Sequence, residues 1–259
     1  MVRSPLGAPV AAGRILAVAA GAAVLGLPAP AQARCQDAPG PQVNWGGCSK
    51  VQLMLSGTDF SGALLSKATL TGGDFSRTVL AGARLEAAEI SRVRFDGANL
   101  AGADLTRAIG WRASFAGANL EKAMLAGADL NRAVFVQARL AGANLSKSEV
   151  NRSDFTGADL TGANLSKAEL ARVIFTKANL AGASFSYSNL ARAQLGGADL
   201  AGANLAGAYL FRTQIEGVDL SRSTGLKQEQ IEIACGGPAT RLPAGLRPPS
   251  GWPCAADDD

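Results

Sequence analysis

The residues best placed to do chemistry are seven arginines spaced every 20 positions: Arg92, Arg112, Arg132, Arg152, Arg172, Arg192 and Arg212. A guanidinium is a planar, permanently charged fork that can hold a phosphate, sulfate or carboxylate through two N–H groups at once. A regular row of them is suited to a linear anionic partner. Four of the seven are preceded, three residues earlier, by an acid: Glu89, Asp129, Glu149 and Glu169. Neutralisation by those acids is the competing expectation, each exposed pair being worth about 0–1 kcal/mol. The row should be freest at Arg112, Arg192 and Arg212, which follow Ile109, Asn189 and Tyr209.

Other chemistry is poorly supplied. The chain has no histidine, so it lacks the side chain that ordinarily titrates near neutrality. It shows no nucleophile–base pair, phosphate-cradling loop or metal-ligand cluster, so no enzymatic activity, cofactor or metal is expected. The net charge is +4, and falls to +2 without a leader that carries Arg3 and Arg14. Bulk charge this close to balance predicts no polyanion partner.

What positions the arginines is a shorter beat. From Leu55 to Leu220 every fifth residue is large and apolar, and only Gly110 breaks the rule. Two residues before each large residue stands a small one, most often Ala. Five residues fit neither regular element. On a helix successive large residues would fall on different faces, and on a strand an odd spacing alternates sides. The chain must therefore turn once per unit. A second period sets the number of turns: Phe75, Phe95, Phe115, Phe135, Phe155 and Phe175 recur every 20 residues, as the arginines do. Four units return to the same side. The expected fold is an all-β solenoid, a four-sided coil whose layers stack by backbone hydrogen bonds at ~4.8 Å. The Leu and Phe of each unit fill its interior, and the Arg row forms an outward ladder.

The units Ala98-Asn99-Leu100, Ala118-Asn119-Leu120, Ala128-Asp129-Leu130, Ala158-Asp159-Leu160, Ala163-Asn164-Leu165 and Ala198-Asp199-Leu200 stand in one frame. This chain resembles the pentapeptide-repeat family over residues 51–222. The resemblance implies a right-handed quadrilateral β-helix and little about activity. Asp or Asn before the unit centre reads as a corner residue that bonds nearby backbone. Some family members resemble a nucleic-acid duplex and inhibit DNA gyrase. Those rods are acidic and this one is not, so DNA mimicry is not expected.

The ends read differently. Residues 1–33 have the form of a secretory signal: Arg3 and Arg14, the apolar run Ile15 to Leu27, and Ala31-Gln32-Ala33 as a cleavage site. A periplasmic or secreted location in a bacterium follows, with cleavage near Ala33. Export makes disulfides the expected state of Cys35, Cys48, Cys235 and Cys254. A stack of some eight layers, ~40 Å by the layer spacing, separates the first two from the last two. The expected pairs are Cys35–Cys48 and Cys235–Cys254, each stapling a cap. Residues 34–50 read as an irregular N-terminal cap with Trp45 over the open end of the core. In residues 223–259, a helix over 224–235 capped by Thr224 is expected to close the other end, followed by an extended tail.

Outward positions also carry apolar residues. Trp111 follows Gly110, and either tucks into the gap it leaves or stays outside as a contact. Tyr209 and Phe211 flank the last full coil beside Arg212 and mark a candidate dimer contact near the C-terminal end. The functional expectation is an exported scaffold that binds a partner, most simply a protein, through the solenoid surface. The alternative is an anionic surface such as lipopolysaccharide held by the Arg ladder.

Overall fold

The computed structural model describes residues 33–253. From residue 41 to residue 223 the backbone repeats one five-residue gesture: two turn residues, an inward residue, an outward residue bridged to its neighbours, and an inward residue. Each bridge is parallel and, as far as Asn204↔Thr224, joins residues 20 apart, as in Asn99↔Asn119↔Arg139↔Asp159; the last two on the C-terminal side reach 21 and 22 residues on, to Cys235 and Arg241. Four sides and four corners therefore make one coil. The leader expected over residues 1–33 lies, apart from Ala33, outside the described residues. Among the described residues no helix is long and apolar enough to cross a membrane.

The turn chemistry is uniform. In the corner Ile90-Ser91-Arg92-Val93 the N–H of Val93 bonds the carbonyl of Ile90 at 3.1 Å. The third residue, Arg92, has φ 56°, and the second is not in the left-handed region. This is a type II turn, which demands positive φ at its third position. Glycine meets that demand without steric penalty. One column of corners is nearly all glycine: Gly62, Gly82, Gly102, Gly142, Gly162, Gly182 and Gly202. The diagonally opposite column is the Arg series, every member at φ between 53° and 59°.

The interior is filled as the beat requires. Phe75, Phe95, Phe115, Phe135, Phe155 and Phe175 form one column with successive ring centroids 4.5 to 5.6 Å apart. Ala at the small position is buried throughout. Where Ser or Thr replaces it, the hydroxyl returns to a carbonyl: Ser148 to Leu145 at 2.7 Å, Ser188 to Phe185 at 2.8 Å. No buried hydroxyl of that kind is left wanting a partner, which is what lets it replace Ala. At the corners the Asp or Asn side chain accepts the N–H two residues on, as in Asp104 to Thr106 at 2.9 Å. A serine hydroxyl, and then the backbone N–H of the same serine, holds the carboxyls of Asp59, Asp74 and Asp219 below the ordinary range.

Gly110 leaves no gap. A Cβ there would lie 2.6 Å from Cδ2 of Leu130 and 3.0 Å from Cγ1 of Ile90. The neighbours above and below in that column have closed over the site. Trp111 therefore does not tuck inward; it stays at the surface, half-buried.

Both ends differ from the sequence reading. Residues 41–50 already wind as coil, with Asn44 bridged to Leu64 and Ser49 to Thr69. Trp45 sits at an inward position, fully buried, 5.5 Å from the ring of Phe60. Cys35 and Cys48 are disulfide-bonded, Cα to Cα 5.5 Å. The C-terminal helix is shorter than expected: α1 spans Gln228–Glu232. Thr224 is not its cap, because its N–H bonds Ala203 at 2.8 Å and it serves as a rung of the coil beside Asn204. Nor is the tail wholly free of the coil, since Cys235 bridges Gln214 and Arg241 bridges Asp219. Cys235 is disulfide-bonded; its expected partner Cys254 lies outside the described residues.

Two predictions follow from corner and core. Gly110→Leu restores the repeat consensus but must displace Leu130 and Ile90, so urea denaturation should show a loss of about 1–3 kcal/mol. Arg152→Gly relieves a left-handed side-chain residue, so it should unfold no earlier than the parent and gain up to about 1 kcal/mol. Earlier unfolding of Arg152→Gly would show that the arginine is structural.

Candidate functional site: the arginine edge

The seven arginines stand at one corner of seven successive coils, and backbone bonds hold each in place. The N–H of Arg92 bonds the carbonyl of Trp111 at 3.0 Å, that of Arg112 bonds Asn131 at 3.0 Å, and the series continues to Arg212 on Ile233 at 2.7 Å. The ladder is thus positioned by the layer hydrogen bonds and needs no side-chain support. Arg92, Arg112, Arg132, Arg152 and Arg172 are exposed, and Arg192 and Arg212 half-buried.

The expected neutralisation by the acids three residues earlier does not occur. Among the described residues the ion pairs are Arg84–Glu86, Arg94 with Asp74 and Asp96, Arg139–Glu121 and Arg241–Asp219. Arg92, Arg112, Arg132, Arg152, Arg172 and Arg192 are in none of them. The acids beside the ladder bind neutral groups instead. Glu89 accepts from the Thr69 hydroxyl at 3.3 Å. Asp129 takes the N–H and side-chain amide of Asn131 at 3.2 and 2.8 Å. Glu149 accepts from the Asn131 amide at 3.3 Å and Glu169 from the Asn189 amide at 2.8 Å.

The reason is local geometry. A left-handed corner sends its side-chain stem along the column to the next coil. Cγ of Arg77 would touch a Cβ on Gly97 at 3.5 Å, and Cγ of Lys122 one on Gly142 at 3.6 Å. Arg92 follows the same course: its guanidinium carbon is 5.8 Å from the Trp111 ring one coil on, and that of Arg112 is 4.2 Å from the same ring. Trp111 is therefore a cation–π spacer within the ladder.

The apolar end of this edge is larger than the sequence suggested. Tyr209 and Phe211 lie 6.1 Å apart with rings 10° from parallel, 51% and 40% exposed. Tyr187, which sequence reasoning passed over, is 69% exposed at a left-handed corner. Its ring would lie 2.7 Å from a Cβ on Gly207 in the next coil. A groove of about 390 Å³ runs between Tyr187, Tyr209 and α1, with Lys227, Glu229 and Ile233 along it. The signal available was an aromatic residue at a corner followed 20 residues later by glycine. Among the described residues no group of His, Cys, Asp and Glu is arranged to hold a metal ion.

Two family models match. The model for "Pentapeptide repeats (8 copies)" covers residues 53–82, 79–109 and 188–224, and that for "Pentapeptide repeat region" covers residues 110–185. No protein of curated function matches the chain. Among solved structures it is similar to HetL, a protein involved in heterocyst differentiation regulation in the cyanobacterium Nostoc. That match has 25% identity and a TM-score of 0.36, over 76% of this chain and 85% of that one. It is also similar to QnrB1, a plasmid-mediated fluoroquinolone resistance protein, with 17% identity and a TM-score of 0.41, over 74% and 92%. A thylakoid-lumen protein of Arabidopsis thaliana aligns with 27% identity and a TM-score of 0.22, over 58% and 82%. With all but two residues from 53 to 224 covered by these repeat models, the chain belongs to the pentapeptide-repeat family, and its solenoid is that family's right-handed quadrilateral β-helix.

Proposed function

We propose that this chain is an exported, non-enzymatic scaffold that holds a partner against one edge of its coil, the edge carrying Arg92 to Arg212. One observation carries the reading. Six consecutive ladder arginines, Arg92 to Arg192, take part in no ion pair among the described residues, although acids stand three residues before four of them. Cations left unspent beside available acids are cations kept for something else. The export half of the reading rests on the leader-like residues 1–33 and on the cysteine pair at the N-terminal end.

The test is site-directed photocrosslinking in exported protein. A crosslinker at Asn151, on the ladder edge, should capture partner. One at Ala181, on the diagonally opposite glycine corner, should not. Equal capture from both positions would overturn the edge assignment. An anionic surface is the second reading, favoured by the same unspent guanidiniums. On heparin or lipopolysaccharide resin, Arg132, Arg152, Arg172 and Arg192 all changed to Ala should then elute at distinctly lower salt than the parent. Identical elution sinks that second reading.

A further inference from the structure

The arginine edge does not stand alone. The adjoining side of the coil presents a second row, Glu89, Asp129, Glu149 and Glu169, in the same coils as Arg92, Arg132, Arg152 and Arg172. The two rows run parallel along the coil, one of each sign, and none of these eight residues forms an ion pair among the described residues. Of the three coils where the acid is missing, one carries Asn189 and in the other two the strip is apolar. Ile109, 47% exposed, stands beside Trp111, and Tyr209 beside Phe211.

From this pattern we infer that the partner held at the arginine edge is a second copy of this chain, lying alongside in parallel register. The inference rests on the edge assignment above and adds the identity and orientation of what binds there. A two-fold axis running along the coils, over the line between the two rows, exchanges left for right and leaves height unchanged. Each acid then faces the partner copy's arginine of the same coil, and each arginine faces the partner copy's acid. Ile109 meets the partner copy's Trp111, and Tyr209 the partner copy's Phe211. An antiparallel pair, with the axis across the coils, sets each row against itself, arginine on arginine and acid on acid. Like charges across a contact are strongly disfavoured, so the charge pattern selects the parallel arrangement.

Pitch supports the same occupant. The cations repeat at the layer spacing, ~4.8 Å, which an extended peptide, with side chains on one face every ~6.6 Å, does not match. Another coil of the same kind matches it at every layer. The strip from Arg92 to Arg212 spans six spacings, ~29 Å, which places the contact among smaller interfaces that form reversibly.

Charge reversal gives a decisive test. One variant carries Arg132→Glu, Arg152→Glu and Arg172→Glu, so that both rows are acidic. The other carries Asp129→Arg, Glu149→Arg and Glu169→Arg, so that both are basic. Sedimentation equilibrium on the mature chain, up to about 200 µM, should show a doubling of mass with concentration for the parent. Each variant alone should stay at single mass, and an equimolar mixture should regain the doubled mass. Circular dichroism confirms that each variant keeps the coil. Single cysteines at Ala171 or Ala191, close to the axis, should each crosslink to themselves, whereas an antiparallel pair could self-link at only one of these heights. A parent that remains monomeric, a variant that dimerises alone, or a mixture that does not associate overturns the inference. If the parent is monomeric but a crosslinker at Asn151 still captures another partner, the edge assignment survives and only the second copy is rejected.

Discussion

The structure depends on the corner. A coil of four short sides can stack only if every corner turns the same way and gives its N–H to the coil beside it. The type II turn satisfies both conditions, and it fixes the third residue at positive φ. Once that is set, the inward residue after the corner is small, the next large residue points inward, and the side between them bridges its neighbours. The Phe column and the Ala positions are consequences of corners that cannot vary. So is the position of each ladder arginine, whose backbone N–H is tied to the next layer.

The same constraint makes the arginine column informative. Glycine is the residue that corner geometry favours, and the diagonally opposite column uses it in seven coils. Holding any other residue at positive φ costs on the order of 1 kcal/mol. The fold would accept glycine in the ladder column too, as it does at Gly72. Arginine in seven consecutive coils therefore runs against the local backbone preference, and at Arg132, Arg152 and Arg172, which are exposed and in no ion pair among the described residues, packing does not offset it. A repeated local conflict without structural gain is where function is to be sought. Trp111 fits the same view, an aromatic side chain held at the surface between two of the arginines instead of in the core.

Much of the fold was legible because its signal repeats. One misreading of a five-residue unit would have broken Phe75, Phe95 and Phe115 out of a single column, and they are in one. The ends were less legible for the same reason, since each contains the pattern once or twice. Trp45 occupies an inward position that the beat reserves for Leu or Phe, so residues 41–50 looked irregular. Thr224 has the composition of a helix cap, but backbone pairing with Ala203 claimed it first. At the candidate site the arginine row was plain in the sequence and the fate of its acids was not. Spacing placed Glu149 near Arg152. Only the direction of the left-handed side chain, along the column and away from the adjoining side, decides that the two do not meet.

That direction also bears on what kind of contact such a coil can make. A side chain free to swing would neutralise its neighbouring acid and leave a surface of low information, polar everywhere and selective nowhere. Stems held along the column keep the two signs of charge in separate lines, a residue's width apart, over successive layers. A line of charge with fixed pitch discriminates by spacing as well as by sign, because a mismatched partner falls out of step within a few layers. Flexible surfaces gain affinity by adapting, and they lose selectivity in doing so. This coil has the opposite character: its backbone ladder forbids adaptation, so a partner must already possess the pitch it is to read.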